Sequence, residues 1–325
     1  MRFSNLRRQM FLALVIALGV GGAAAPAAAD DPVRVGKAAA NAWTFTTLEI
    51  GKEAGLFKAQ GLDIEIFALA GDAKLQQAMA SDSIDFALGS GPSMAFSVKG
   101  SPVIAVAAFA GEPRNLSVVV GADSPIKTVK DLKGKTLSVT TKGSLTEWLA
   151  KRLAIAEGWG PDGITTAALG AFETSLAAMR THQIDGLMTA LESGYALEEK
   201  HEGRVITDMG RYAPKFITHV VFARKQLVEQ KPEFVRRFLK GFFATIAYMK
   251  ANRDKTIDIS AVVLNLDKAT MARVYDYEIS MFIDDGTFDP EAVKTIKDSF
   301  VEMGTLPDKP NDDQIFTTAF VPVKP

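Results

Sequence analysis

A short pattern occurs twice in this chain, one hundred residues apart: Ala78-Met79 followed by Ile84-Asp85 returns as Ala178-Met179 followed by Ile184-Asp185. Each copy leads into an apolar run, Phe86 to Leu88 in the first and Leu187-Met188 in the second. In both, a helical stretch ends in polar residues and an Asp-marked turn enters a buried strand, the pattern of one βαβ element used twice. Two copies of such an element predict two lobes, and two lobes predict a cleft. Chance similarity between two amphipathic junctions is the competing reading; repetition of the flanking pattern weighs against it.

That flanking pattern alternates short β-rich runs with helical ones, which predicts a mainly parallel sheet covered by helices. The first series reads Val33 to Lys37, a helix near Phe45 to Leu56, Asp63 to Phe67, a helix near Ala73 to Ala80, Ile84 to Leu88, a helix after Gly91 and Pro102 to Ala108. The second reads Thr136 to Thr140, a helix over Leu145 to Ala156, Ile164 to Leu169, a helix over Glu173 to Thr181 and Ile184 to Met188. A further strand, His219 to Ala223, precedes a helix opened by Pro232, where the missing N–H costs nothing, and extending to about Asn252. A first lobe interrupted by a second and completed by C-terminal helices explains this order. The division is residues 30–118 for the first part of lobe one, 119–221 for lobe two and 222–325 for the return, with crossovers near Ser117 to Val120 and His219 to Ala223.

Residues 1–29 read as an export signal: Arg2, Arg7 and Arg8, an apolar run from Phe11 to Val20, then small residues ending at Ala27-Ala28-Ala29. The run is too short to span a bilayer, so cleavage near Ala29 is favoured over a membrane anchor. Arg7-Arg8 leaves both general and twin-arginine export open. There is no Cys to carry a lipid or a disulfide. Without residues 1–29 the chain has 34 basic and 38 acidic residues, a charge of about −4, and shows neither a nucleic-acid footprint nor a polybasic membrane patch. The expectation is a diffusing, monomeric protein of the cell envelope, placed in the periplasm with no stable membrane anchor.

One segment is more specific than periodicity: Glu49-Ile50-Gly51-Lys52-Glu53-Ala54-Gly55-Leu56-Phe57-Lys58-Ala59-Gln60-Gly61-Leu62-Asp63-Ile64-Glu65. It resembles the signature of the ABC-transporter solute-binding proteins of the nitrate/sulfonate/taurine type, in which a first helix ends in Gly-Leu-Phe and a Gly turn enters the second strand. Ser83-Ile84-Asp85-Phe86-Ala87, Asp131-Leu132-Lys133-Gly134-Lys135 and Lys231-Pro232-Glu233 follow in the family's order. The resemblance implies a two-lobed type II periplasmic-binding-protein fold of α/β class, with mainly parallel sheets flanked by helices and two crossover segments. It also implies a receptor that captures a small-molecule solute by hinge closure and delivers it to a membrane permease with an ATPase subunit, without a cofactor.

In open α/β sheets, ligands lie beyond the carboxyl ends of the strands. That rule selects the loops at Ala38 to Thr44, Ala70 to Ala73, Gly89 to Ser93, Gly111-Glu112, Thr140 to Leu145, Leu169 to Phe172 and Thr189 to Glu192. The candidate solute contacts within them are Asn41, Trp43, Gly71, Asp72, Ser90, Gly91, Ser93, Lys142, Gly143, Ser144, Leu145 and Glu192. Gly89 to Ser93 and Lys142-Gly143-Ser144 open helices, whose free N–H groups suit an anion or carbonyl; ordinary capping by Ser is the alternative. Trp43 is the expected aromatic wall, with packing an equal reading. Asp72 is expected to cap its helix, while Trp148 and Phe172 are expected to pack in the core.

The solute is read as a small organic or inorganic anion: a sulfonate, taurine, nitrate or an aromatic acid. A neutral or cationic heterocycle, such as a thiamine-pyrimidine precursor, stacked on Trp43 and held by Asp72 or Glu192 is the rival, and a sensory ligand-presenting protein or an exported enzyme are the other classes. Enzymatic motifs are weak. Gly89-Ser90-Gly91 lacks the third Gly of a dinucleotide site, Val129 stands where a P-loop before Gly134-Lys135-Thr136 needs Gly, and His182, His201 and His219 are isolated.

Overall fold

The structure, a computed structural model, describes residues 30–324. The export signal expected over residues 1–29 lies outside them. The chain begins with strand β1 (Asp31–Lys37), helix α1 (Thr47–Glu53), β2 (Leu62–Ala68), α2 (Asp72–Ala80), β3 (Phe86–Ser90), the short α3 (Ala95–Val98) and β4 (Val103–Ala110). It then runs through β5 (Leu116–Gly121), β6 (Thr136–Val139), α4 (Leu145–Ala156), β7 (Thr165–Ala168), α5 (Phe172–Arg180), β8 (Gly186–Ala190), α6 (Leu191–Glu199) and β9 (Gly203–Asp208). It returns with β10 (His219–Arg224) and ends in α7 (Lys225–Gln230), α8 (Pro232–Ala251), α9 (Arg253–Leu264), α10 (Lys268–Glu278) and α11 (Pro290–Glu302).

Two five-stranded sheets result, ordered β2-β1-β3-β10-β4 and β7-β6-β8-β5-β9. In each, four strands run one way and the fourth in the order, β10 or β5, runs the other. These antiparallel strands are the ones that have just crossed from the opposite sheet. The chain therefore changes sheets within residues 111–115 and 209–218, a few positions before the expected crossovers, because β5 and β10 are full ladder members rather than connectors.

The repeated sequence pattern corresponds to equivalent backbone. After α2 and α5 the chain takes a left-handed turn at Asp82 (φ 62°) and at His182 (φ 56°). Asp85 then accepts from the N–H of Arg34 at 3.0 Å, and Asp185 from the N–H of Thr136 at 2.8 Å. Each aspartate thus ties the strand it precedes to the strand beside it.

The helix ends follow their sequence signals. Gly55 (φ 71°) and Gly61 (φ 66°) are left-handed at the close of α1 and before β2. Phe57 sits beneath them, buried, its ring 5.6 Å from that of Phe238 on α8. The apolar stripe Val235, Phe238, Leu239, Phe242, Ile246 and Met249 of α8 is buried throughout. Among the described residues no helix is long and apolar enough to cross a membrane.

Candidate solute cleft

A cavity of about 330 Å³ lies between the two sheets, lined by the strand ends and loops of both lobes. Ala38, Ala39, Phe45 and Leu69 face Val139, Leu145, Phe172 and Met188 across it. The lobes touch beside it: a Cβ placed on Gly71 of the first would lie 2.7 Å from Thr141 Cγ2 of the second. Polar residues of the lining are Asn41, Asp72, Ser90, Asn115, Ser138, Thr140, Thr146, Glu173, Ser175, Thr189 and His219, and no Lys or Arg is among them.

Helices α2, α4, α5 and α6 all begin at this cavity. Gly71 precedes α2 and Ala171 precedes α5; both line the cavity and neither supplies a side-chain cap. The first-turn N–H groups of a helix have no intrahelical acceptor, and they carry the positive end of its dipole. One such end therefore projects from each lobe toward a shared apolar space, an arrangement that can receive an oxyanion without a basic side chain.

Asn41, Gly71, Asp72, Ser90 and Leu145 are brought together here. Asn41 Nδ2 donates to Ser193 Oγ of the other lobe at 2.8 Å. Asp72 does not cap its own helix, contrary to expectation. Its carboxylate accepts from the Ser90 N–H at 3.0 Å and from the Ser90 hydroxyl at 2.8 Å, pinning the end of β3. Burial raises its pKa, and the Ser90 bonds oppose that rise.

The remaining candidates are not at the cavity, for identifiable reasons. Trp43 is fully buried in the core: its Nε1 donates to Ser260 Oγ at 2.9 Å and its ring meets Tyr275 and Phe282 edge-on at 5.7 and 5.5 Å. The aromatic walls are Phe45 and Phe172 instead, and Phe172 is not the core residue expected. Trp148 does pack internally, stacked on Phe216 at 4.3 Å. Gly91 lies against the crossover, where a Cβ would stand 2.1 Å from the Ile217 carbonyl oxygen. The Ser93 hydroxyl donates to Ser90 O at 2.7 Å.

At the start of α4 the capping alternative holds. The Gly143 N–H donates to Glu147 Oε2 at 2.6 Å, Ser144 Oγ accepts from the Glu147 N–H at 3.5 Å, and Lys142 is exposed. Glu192 is buried away from the cavity and accepts from the Trp43 N–H.

The carboxyl-end rule does not select Asn115 and His219, because it has no place for antiparallel strands. β5 and β10 bring their amino ends to the edge where the other strands end. Asn115 Nδ2 lies 3.1 Å from His219 Nε2. Burial pushes the His219 imidazole down to about 3, so it is neutral and can accept from that amide. Asn115 Oδ1 and His219 Nδ1 are buried without a hydrogen-bond partner.

Known proteins place this architecture. The family model described as NMT1/THI5 like matches residues 43–256. A binding protein of Brucella abortus strain 2308 is 27% identical over 271 residues, covering 82% of each chain. The alkanesulfonate-binding protein of Xanthomonas axonopodis pv. citri, solved bound to MOPS, superposes with a TM-score of 0.75 at 19% identity, over 87% of this chain and 96% of that one. A desulfurization enzyme solved with biphenyl-2-sulfinic acid shares the fold at a TM-score of 0.62 and 14% identity, over 90% of this chain and 97% of that one, so the fold itself hosts both binding and catalysis. With two exchanged-strand sheets, a cavity between them and a family match over most of its length, this chain belongs to the NMT1/THI5-like family and has the periplasmic-binding-protein fold.

Proposed function

We propose that this chain is the periplasmic solute receptor of an ABC importer, a monomer whose lobes close on a small organic anion of the sulfonate class and deliver it to a permease. The observation that carries the reading is the pair of uncapped helix N-termini, α2 and α5, lining one largely apolar cavity from opposite lobes. The acidic group would take the first-turn N–H groups, while Phe45, Leu69, Val139, Leu145, Phe172 and Met188 would surround an apolar tail. The alkanesulfonate-binding name of the Xanthomonas protein supports the same class. Closure follows from the ligand's better contacts in the closed form. Capture and release, rather than turnover, is the role proposed.

A second reading is favoured by a separate observation: the cavity lining contains Asp72 and Glu173 and no Lys or Arg. A neutral or cationic heterocycle would meet those groups favourably. A thermal-shift screen with alkanesulfonates and with aminopyrimidines separates the two, since a ligand held by the folded state raises the midpoint with the ratio of its concentration to Kd. A rise with sulfonates alone supports anion capture, and a rise with the heterocycles alone replaces it.

A further inference from the structure

Glu278, at the end of α10, is wholly buried, and neither of its carboxyl oxygens has a hydrogen-bond partner. Glu192, at the start of α6, is 1% exposed, and its Oε2 is also unpartnered. α10 belongs to the C-terminal helices of the first lobe, whereas α6 covers the second sheet, and the two helices pack together. No salt bridge reaches either carboxyl group among the described residues. The neighbouring charges are spent elsewhere. Arg273 of α10 lies 3.5 Å over the Tyr195 ring of α6 and 3.3 Å from Glu198, Arg253 of α9 is paired with Asp276, and Arg114 of the crossover is paired with Glu112. Glu199 and Asp267, which both accept from Thr270, and Tyr195, Tyr277 and Asp208 are further titratable groups around the contact, and none supplies a cation.

Two carboxylates buried without a cation on helices that pack together lose their hydration, and their like charges repel; both effects favour keeping protons on the pair. We propose that Glu192 and Glu278 form a proton-dependent latch between the lobes, which holds the cleft closed while the pair is protonated and loosens it as both groups ionise. Burial lifts Glu192 to about 7, and burial together with the Glu192 charge lifts Glu278 well above the ordinary carboxylate range. Opening hydrates the groups and returns them toward that range, so closure takes up protons. As a consequence, and resting on the solute-receptor reading, solute affinity falls as pH rises from the ordinary carboxylate range to about 7, by up to about tenfold per pH unit for each proton taken up.

The absence of native Cys allows a direct test with spin labels at Lys74→Cys on α2 and Thr174→Cys on α5, both exposed and outside the cavity lining. Without any solute, the distance between labels should lengthen from pH 5 to pH 8. In Glu192→Gln/Glu278→Gln, and more weakly in Glu278→Gln alone, it should stay short at both. An unchanged distance in the parent protein, or an equal shift in the double variant, overturns the latch. Because no solute is present, that result leaves anion capture standing, and a failed sulfonate screen leaves the latch standing.

Discussion

The carboxylate of Glu192 accepts a hydrogen bond from the backbone N–H of Trp43, which joins the helix after β8 in one lobe to the loop after β1 in the other. The Trp43 ring points the opposite way, into α9 and α10 through Ser260 and Tyr275. Trp43 is therefore an anchor for an interlobe bond that its backbone makes. Trp43→Phe keeps that N–H and loses the indole bond to Ser260, so it should lower unfolding free energy by about 1 kcal/mol while leaving solute affinity within about threefold. Urea unfolding and calorimetric titration of the variant check both parts, and a large affinity loss with unchanged stability would return the ring to the cleft.

Gly71 has φ 96°, which L side chains rarely adopt, and it faces Thr141 across the lobe contact. Gly71→Ala should weaken solute binding at least about tenfold, roughly 1.4 kcal/mol, by straining the start of α2 and obstructing closure. Titration of wild type and variant with one alkanesulfonate reads this. Equal affinities would mean that closure does not bring these two residues together.

Asp85 and Asp185 hold equivalent places but carry different loads. Asp85 accepts from Arg34 Nε and Nη2 and from the buried Arg224 Nη2 at 3.0, 2.8 and 2.6 Å and its side chain is 11% exposed, whereas the Asp185 side chain is 37% exposed and has Lys135 at 3.8 Å. Asp85→Ala should cost about 3 kcal/mol, leaving the buried Arg224 guanidinium short of a partner, and Asp185→Ala about 1 kcal/mol. Chemical denaturation distinguishes them, and equal losses would contradict the difference in burial.

His219 contributes a pH dependence of opposite sign to that of the glutamate pair. Its folded-state pKa of about 3 lies below the ordinary 6.5, so the unfolded chain takes the proton first as pH falls. Stability from this residue is complete above 6.5 and is lost as pH falls toward 3. His219→Gln should therefore show a shallower loss of stability than wild type between pH 6.5 and pH 4. Parallel curves would mean that the imidazole is not held neutral.

The two-lobed fold was legible because its signals are local and repeated. The Ile84-Asp85 and Ile184-Asp185 junctions, Gly55, Gly61 and the α8 stripe each encode a backbone requirement that neighbouring residues state again. The site was less legible. The carboxyl-end rule found the loops holding Asn41, Gly71, Asp72 and Leu145, but it could not say which side chain in a loop turns inward. Trp43 turned into the core because α9 and α10, far along the chain, offer it Ser260 and two aromatic edges. Ser144 and Gly143 were consumed by the helix they begin. Asn115 and His219 reach the cavity on strands whose direction is fixed by the crossover, which no local pattern encodes.

The most direct measurement is a crystal structure of the protein with a bound alkanesulfonate. A grip by both lobes predicts one molecule in the interlobe cavity, with its sulfonate oxygens within hydrogen-bond distance of first-turn N–H groups of both α2 and α5 and its tail among Phe45, Phe172 and Met188. A sulfonate held by one lobe alone, or bound outside the cavity, would contradict it.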